Sequence, residues 1–399
     1  MKFHKLGDFE QHHSERKAEN KDFKPEILPI PSKEKEVSVQ EIKTTFPQTE
    51  KEEKEIRFSI KSEKKRTETD SLAVFIKDNR ERLTERGKEI YGMAIDVSKE
   101  LMGALYSPYF EKYYRIEYAV SKIYAEIKEN PFFTGFASYI TPANYLYSHN
   151  VNTAIISMSC ASALNYPREK AMELGCAAFL HDIGVADMLD IIRQERRLSS
   201  EEMAVVREHS VRGVEYLDKI TDLEYDKKKI FARMIMETHE RYDGSGYPYG
   251  LKGEELDESS CLLAIADTYE ALSHKRNWRE AYEPPVAMKF FLDQLKGGFH
   301  PRALKGLISS LGMYPPNSLV KLSTGEIAMV VLTNKKNLTR PTVEIVLDSG
   351  FTEIGRSYLD LTEYPLTAIE GELLYEELAS MNPDFYSAFE MKYFWLDWG

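Results

Sequence analysis

The chain has 399 residues, of which 42% are hydrophobic, and it carries a formal net charge of −12 at pH 7. This length predicts two or three structural units. Residues 1–70 hold 16 basic and 16 acidic side chains, so the whole negative charge falls on residues 71–399. An acidic folded region argues against a nucleic-acid polymer as partner, because binding a polymer requires clustered Lys and Arg to replace counterions.

The three cysteines, Cys160, Cys176 and Cys261, lie far apart in apolar sequence. This pattern predicts neither a disulfide framework nor a zinc knuckle, and it is typical of buried thiols in a reducing compartment. The chain has no apolar run of about 18 residues that could span a membrane. Its first residues also lack the apolar stretch of a signal peptide. We therefore expect a cytoplasmic protein without a membrane span.

The first 130 residues divide into two parts. Residues 1–70 are rich in Lys, Glu, Ser and Pro, and we expect a disordered charged tail, because such a segment buries too little apolar surface to fold. From Ser71 the apolar residues recur at steps of three and four, which predicts a helical unit over residues 71–130. No motif marks a ligand site in this unit. Sensing, packing and dimerisation all remain open as its role, and a homodimer is compatible with the sequence.

Residues 131–312 predict a helical bundle interrupted by turns, with a site in its core. Ser199, followed three residues later by Glu202, is typical of a capped helix start. In residues 313–399 the apolar period changes to two, which predicts three short antiparallel strands at 318–322, 327–332 and 342–347. An aromatic-rich segment near the C-terminus predicts a helix that docks on the body or on a second subunit. The expected fold class is mainly α, with a small antiparallel β segment.

Four of the nine histidines stand in one series with two aspartates, in or beside apolar helices: His149, His181, Asp182, His209, His239 and Asp267. A single His-Asp pair can equally be an ordinary helix end. However, a carboxylate in an apolar helix costs several kcal/mol unless a cation compensates it. His and Asp from five separate elements, without a Cys partner, therefore favour a site for two divalent metal ions.

The order and spacing of these residues resemble the HD-GYP family, a branch of the HD superfamily of metal-dependent phosphohydrolases. The resemblance covers about residues 131–350 and also rests on His239-Glu240-Arg241, on Gly246-Tyr247-Pro248 and on the segment from Asp267 to Arg279. It implies an HD-type helical bundle and a cyclic di-GMP phosphodiesterase. The implied products are pGpG and, in a further slow step, GMP.

The resemblance also implies roles for individual residues. One metal ion would be held by His149, His181, Asp182 and Asp267, and a second by Asp182, His209 and His239. Asp182, the residue implied as catalytic, would bridge the two ions, and a hydroxide shared between them would attack the phosphodiester. Iron or manganese suits these ligands better than zinc. The implied substrate contacts are Gly246, Tyr247, Pro248, Arg276 and Arg279, and the same loop is implied to contact diguanylate cyclase (GGDEF) domains.

Three positions depart from the family pattern. Val185 stands where the family usually has Lys, Thr238 where it commonly has a second His, and Tyr145 where members with three metals have a Glu. These departures favour two metals rather than three. Val185 and Thr238 also favour an alternative, a catalytically weak domain that acts as a cyclic dinucleotide receptor or an interaction module. An HD hydrolase for a different nucleotide is a third possibility, which does not depend on these departures.

Overall fold

The computed structural model describes residues 71–140, 145–276 and 279–393. The expected disordered tail, residues 1–70, lies outside the described residues. Most of the described chain is helical, and the helices in chain order are α1 Ser71–Ala104, α2 Tyr113–Glu129, α3 Tyr145–Ala163, α4 Arg168–Leu180, α5 Leu189–Ile192, α6 Ser200–Val206, α7 His209–Leu217, α8 Tyr225–Glu237, α9 Glu258–Ser273, α10 Pro284–Phe290, α11 Pro301–Leu311, α12 Tyr375–Met381 and α13 Pro383–Tyr393.

Short irregular helical turns connect several of these helices. They are 3₁₀ turns at Phe133–Ser138, Ile183–Met188, Gly253–Glu255 and Lys296–Gly298, and a π-helical turn at Phe291–Leu295 that extends α10.

The helix start predicted at Ser199 is confirmed. The Ser199 side chain accepts a hydrogen bond from the Glu202 N–H, and the Glu202 carboxylate accepts one from the Ser199 N–H, which is a complete capping box.

Helix α3 is the centre of the bundle. Every side chain from residue 148 to residue 161 is buried, which is expected of a helix whose residues are mostly apolar or small. It packs against α4, α9 and α11. On α4, a Cβ placed at Gly175 would lie 2.4 Å from the Met158 sulfur of α3, so the two helices approach as closely as glycine allows. This central helix brings His149 into the protein interior.

Helix α1 packs into the same core from residue 76 onward. Tyr91 is fully buried, and its hydroxyl lies within hydrogen-bond distance of two acceptors, Asn152 Oδ1 at 2.9 Å and the Tyr139 carbonyl oxygen at 3.2 Å. A Cβ at Gly87 would overlap the Phe136 ring at 2.5 Å. The described part of the helical segment 71–130 therefore contributes side chains to the bundle core.

The C-terminal region contains a five-stranded antiparallel sheet in the order β4-β3-β2-β1-β5. The strands are β1 Leu319–Leu322, β2 Ile327–Leu332, β3 Thr342–Leu347, β4 Glu353–Asp360 and β5 Ile369–Glu372. The three predicted strands are present to within one residue, but the sequence analysis was wrong to end the sheet there. Strands β4 and β5 occupy the two edges of the sheet. An edge strand pairs with only one neighbouring strand and is partly exposed, so its sequence does not need a strict alternation of apolar and polar residues. Their sequences, EIGRSYLD and IEGE, accordingly carry little strand signal.

The predicted C-terminal helix is present as α13 and packs on α12. Phe389 is buried, and its ring centroid lies 6.2 Å from that of Tyr375 in α12. As far as it is described, the aromatic segment therefore packs on the preceding helix α12 through Phe389. The mainly α fold class with a small antiparallel sheet is confirmed. Among the described residues, none of the helices combines the length and the apolar character needed to cross a bilayer.

Candidate metal centre

The six predicted metal ligands come from five elements and converge inside the bundle. His149 lies in the first half of α3, and Asp267 lies in the middle of α9. The other four stand at helix ends, where the backbone turns towards the centre: His181 and Asp182 directly after α4, His209 at the first position of α7, and His239 two residues after α8. The donor atoms form two groups of three, and within each group the atoms lie within 4.8 Å of one another.

The first group consists of His149, His181 and Asp182, with Asp267 beside them. The two histidine Nε2 atoms are 3.2 Å apart. His149 Nε2 lies 3.4 Å from Asp182 Oδ2 and 3.3 Å from Asp267 Oδ1. Ligands that share one ion at a bond length near 2.1 Å stand about 3 to 4 Å apart. The spacing of His149, His181 and Asp182 therefore suits a single divalent metal, and Asp267 lies beside this group.

The second group consists of Asp182, His209 and His239. The Nε2 atoms of His209 and His239 face each other at 2.7 Å, and His209 Nε2 lies 3.4 Å from Asp182 Oδ1. Asp182 therefore belongs to both groups, with Oδ2 towards His149 and Oδ1 towards His209. A carboxylate shared in this way is the arrangement that can bridge two metal ions.

Three of the histidines are oriented by their second ring nitrogen. The Nδ1 atom of His181 lies 2.7 Å from the Ala178 carbonyl, and that of His209 lies 2.6 Å from the Val206 carbonyl. A carbonyl oxygen can only accept, so Nδ1 carries the hydrogen in both rings. His149 is held in the same way by Glu270 Oε2 at 2.5 Å. The Nε2 lone pair of each ring is then free to bind a metal ion.

The two aspartates are ionised despite their burial. Burial alone would raise the pKa of Asp182, but the neighbouring His181 and His149 hold it below its usual range. The pKa of Asp267 is likewise lowered against the effect of burial, through hydrogen bonds with His149 and His181. The buried Asp267 and the largely buried Asp182 thus keep their negative charge, and their stabilisation depends on positive charge inside the site.

The pKa values of His149 and His239 are shifted in opposite directions. Burial opposes protonation of His149, but the charge of Glu270 and a hydrogen bond with Asp182 raise the pKa of His149 above its ordinary value. Burial and the adjacent His209 lower the pKa of His239 to about 3. The first group therefore attracts a positive charge, which protons or a divalent cation can supply. His239 is neutral near pH 7 and available as a ligand.

The glycine-rich loop after His239 covers the second group. The Tyr247 ring stacks on the His239 ring at a centroid distance of 4.9 Å and an angle of 14°, and the Tyr247 N–H donates to the His239 carbonyl at 3.1 Å. A Cβ at Gly246 would lie 2.4 Å from the Glu240 Cα, so only glycine fits this contact. Pro248 follows a cis peptide bond. The loop is therefore packed directly onto a predicted metal ligand.

Comparison with known proteins agrees with this geometry. The family model of the HD domain matches residues 140–297, and that of a KOW domain associated with the HD domain matches residues 319–381. Residues 140–297 are an HD domain. The resemblance inferred from the motifs is thereby confirmed.

Curated relatives of the HD domain are phosphodiesterases by name. The chain is 28% identical over 209 residues to a cyclic di-GMP phosphodiesterase of Pseudomonas aeruginosa, covering 51% of this chain and 49% of the relative. It is 32% identical over 149 residues to a cyclic di-GMP phosphodiesterase response regulator of Xanthomonas campestris pv. campestris, covering 37% and 39%. It is 28% identical over 172 residues to a 3'3'-cGAMP-specific phosphodiesterase of Vibrio cholerae, covering 43% and 36%. The chain thus spans about half the length of these relatives, or less.

Among solved structures, an HDG"Y"P protein from Bdellovibrio bacteriovorus matches with a TM-score of 0.47 at 20% identity, covering 65% of this chain and 80% of that chain.

Glu270 is a residue of the HD domain that the sequence analysis missed. It is fully buried. Besides His149 it contacts the Arg276 guanidinium at 2.6 Å, the Asn152 amide at 3.3 Å and His274 Nδ1 at 3.4 Å. The signal was present in the sequence, because Glu270 lies three residues after Asp267 and therefore on the same face of α9.

The two arginines predicted to contact a nucleotide are engaged within the protein. Arg276 is buried, and besides bonding Glu270 its guanidinium carbon lies 4.6 Å from the centroid of the Tyr145 ring. Arg279 donates to the backbone carbonyls of Ala271, Leu272 and Glu280. Arg276 therefore contacts Glu270, the residue that holds His149 of the first group. Arg279 donates to carbonyls in the last turn of α9. Their contact with a substrate stays a prediction.

The structure shows the surroundings of two positions that depart from the family pattern, Val185 and Thr238. Val185 is buried in the 3₁₀ turn that follows Asp182, so that turn presents no cation at this position. The Thr238 hydroxyl donates to the Met234 carbonyl at 2.7 Å, one turn back along α8. Its hydrogen is thus used within the helix, and the second group has two histidines and one carboxylate.

Proposed function

We propose that this protein hydrolyses cyclic di-GMP at a centre of two divalent metal ions formed by the six residues of the HD domain. The observation that carries the proposal is the pair of donor groups that share Asp182, one around His149 and one around His209. Metals bound there would polarise the phosphodiester and lower the pKa of water towards neutrality. We further propose iron or manganese, because imidazole and carboxylate together suit these ions.

Charge supports an anionic substrate. Four neutral imidazoles and two carboxylates around two divalent ions leave a formal charge of about +2. The chain as a whole carries −12, so this centre would be a local positive site in an acidic protein. A phosphodiester matches that charge, and the negative net charge of the chain disfavours long nucleic acids.

The chain's own residues would orient the reaction. Asp182, shared by the two groups, sets the separation between them. The Nδ1 anchors at Ala178, Val206 and Glu270 hold three imidazole rings with Nε2 directed inwards. Tyr247, stacked on His239, forms one wall beside the second group, where a base or ribose of the substrate could pack. Preorganised ligands of this kind keep the catalytic geometry without reorganisation during the reaction.

Cyclic di-GMP is the substrate that we favour because five of the curated relatives carry it in their names. A second candidate is a different cyclic dinucleotide, since three relatives are named as specific for 3'3'-cGAMP. A third is a receptor with weak turnover, which the apolar Val185 and the single histidine after Thr238 favour.

One assay separates these candidates. The purified chain, loaded with Fe(II) or Mn(II) under reducing conditions, is incubated with cyclic di-GMP and with 3'3'-cGAMP, and the products are chromatographed. We expect pGpG from cyclic di-GMP at the higher rate, and no product from Asp182→Ala. Asp190→Ala, an exposed carboxylate of α5, is the matched control and should retain the rate. Stoichiometric binding without hydrolysis would instead support the receptor.

The remaining expectations about partners and location are also proposals. We propose contact between the glycine-rich loop and diguanylate cyclase domains, since Tyr242 and Asp243 place polar groups at its surface. A homodimer stays a prediction. A cytoplasmic location is supported by Cys160, Cys176 and Cys261, which are free and buried, as expected in a reducing compartment.

A further inference from the structure

Arg207 stands beside the second group of ligands. It follows the last residue of α6 and precedes His209 by two positions. The carbonyl of the preceding residue, Val206, anchors the His209 ring at 2.6 Å, so the backbone around Arg207 is tied to the centre. The side chain itself is half-buried.

The Arg207 guanidinium lies over the aromatic wall of the centre. Its carbon is 5.1 Å from the centroid of the Tyr247 ring, and the same Tyr247 ring stacks on the His239 ring. The charges of Arg207, Asp182 and Asp267 all act on the Tyr247 hydroxyl. Arg207 therefore lies against the loop residue that packs on the predicted ligand His239.

Other arginines near the centre are already engaged. Arg241 donates to Thr268 and to the carbonyls of Thr238 and Glu240, while Arg276 bonds Glu270 and Arg279 bonds backbone carbonyls. Within the described parts of the chain, Arg207 has neither an ion pair nor a hydrogen bond from its side chain. The contact with the Tyr247 ring is not a hydrogen bond to an oxygen acceptor, so the N–H groups of the guanidinium stay available as donors.

Arg207 provides a cation next to the turn that carries Val185, where the turn itself has none. The 3₁₀ turn that carries Val185 packs on both α6 and α7, and Arg207 lies at the junction of these helices. An unpaired guanidinium edge matches two oxygens of a phosphate in a bidentate manner, which a lysine ammonium cannot do.

We propose that Arg207 binds non-bridging oxygens of the substrate phosphate and supplies, from the α6–α7 junction, the cation that the turn at Val185 lacks. The proposal rests on the proposed phosphodiesterase function and adds a specific substrate contact to it. Tyr247 holds the guanidinium in place through its ring, so the loop and Arg207 act together on the same ligand.

The test compares Arg207→Met with Arg207→Lys and with Arg212→Met in the full chain loaded with Mn(II). Arg212 is the matched control, because it lies on α7, is exposed and pairs with Glu208 and Glu215. Three quantities are measured: kcat and KM for cyclic di-GMP, kcat and KM for bis(p-nitrophenyl) phosphate, and the inhibition constant of inorganic phosphate. Metal content and Tm are recorded for every variant.

Arg207→Met should weaken phosphate inhibition and lower kcat/KM for both substrates by roughly 10- to 100-fold, the size expected for a charge-assisted hydrogen bond. Arg207→Lys should recover part of the loss, and Arg212→Met should match the wild type. Unchanged phosphate affinity in Arg207→Met would overturn the proposal. A loss of bound metal or a large fall in Tm in both Arg207 variants would also overturn it, since the residue would then have a structural role.

Failure of the proposed function gives a different result. If the wild type leaves cyclic di-GMP intact, the substrate assignment is wrong, but phosphate inhibition of bis(p-nitrophenyl) phosphate cleavage still measures the Arg207 contact. If the metal-loaded wild type neither cleaves this simple phosphodiester nor binds inorganic phosphate, both proposals are rejected.

Discussion

Glu270 shows how one buried carboxylate can organise a metal centre. It holds the Nδ1 atom of His149 and also contacts Arg276, Asn152 and His274. Burial alone would raise its pKa, but Arg276 and His274 hold that pKa well below its usual range. A charged acceptor on the outer nitrogen fixes the tautomer of the imidazole and makes its inner nitrogen a stronger ligand.

We expect Glu270→Gln to weaken metal binding. The amide oxygen can still accept from His149, but without the negative charge, so the affinity of the first group should fall by roughly 10- to 100-fold. A competition titration against a chelator measures the change. Glu258→Gln, a partly exposed residue of the first turn of α9 that pairs with Arg302, is the control. Equal affinities in the two variants would contradict the positioning role.

Glu240 gives a prediction about pH. Burial raises the pKa of Glu240 to about 7. Its carboxylate also accepts hydrogen bonds from the backbone N–H groups of Tyr249 and Leu251, and these bonds lower the pKa in part. The folded state therefore binds a proton at Glu240 more tightly than the unfolded state, whose value is 4.5. Because the folded state holds the extra proton, the contribution of Glu240 to the free energy of unfolding falls as the pH rises from 4.5 to about 7.

Glu240→Gln should remove this dependence. Between about pH 5 and about pH 7, the free energy of unfolding of the wild type should decrease relative to that of the variant by about 2 to 3 kcal/mol. Urea unfolding of metal-free protein at both pH values measures the difference. A difference between wild type and variant that does not change with pH would show that Glu240 keeps its usual pKa.

At the scale of elements, the centre depends on how closely the 3₁₀ turn after Asp182 approaches α7. A Cβ at Gly184 would lie 2.0 Å from the His209 carbonyl oxygen and 2.5 Å from the Gly213 nitrogen. Both neighbours are backbone, which cannot move aside as a flexible side chain can. The contact therefore fixes the distance between the element that carries Asp182 and the element that carries His209.

We expect Gly184→Ala to separate these elements. The second donor group should lose its metal, and the free energy of unfolding should fall by about 1 to 3 kcal/mol. Metal content by elemental analysis and urea unfolding test this. Gly103→Ala is the control, since a Cβ at that position of α1 meets nothing within 4 Å. It should raise stability by about 0.5 to 1 kcal/mol. Full metal occupancy in Gly184→Ala would show that the turn can shift without disturbing the centre.

On the scale of the whole molecule, α1 connects the sheet with the core of the HD domain. Near its start, Arg80 pairs with the buried Glu344 of β3 and donates to the Tyr358 hydroxyl of β4 at 3.3 Å. Three turns later, Tyr91 bonds Asn152 of α3, which in turn contacts Glu270. A single helix therefore contacts both the β segment and the polar network behind His149.

Arg80→Met should destabilise the protein by about 3 kcal/mol, because Glu344 would keep a buried charge after losing this cation. Adding Glu344→Met should recover most of the loss, since removing both charges also removes their desolvation. A double-mutant cycle by urea unfolding measures the coupling, and Arg82→Met, an exposed neighbour on α1, should be nearly neutral. Additive effects in the cycle would show that the pair does not hold α1 to the sheet.

The sequence was sufficient for features that depend on local pattern. Apolar periodicity predicted the helices and the three inner strands, and the Ser199 capping signature placed the start of α6 correctly. Edge strands β4 and β5 were missed because their register is fixed by pairing with β3 and β1, rather than by their own alternation. Similarly, the contact between Arg276 and Glu270 could not be predicted from local pattern, because it depends on how the end of α9 folds back.

The sequence by itself determined which residue types stand in this protein: four histidines and two aspartates, in the order and spacing of an HD domain, followed by a glycine-rich turn. Only the tertiary structure decided that Asp182 faces both donor groups, that Glu270 lies behind His149, and that Arg207 lies over Tyr247. The reason is physical. Helix periodicity is a local property of the chain, whereas the convergence of side chains from five elements depends on how closely their backbones pack.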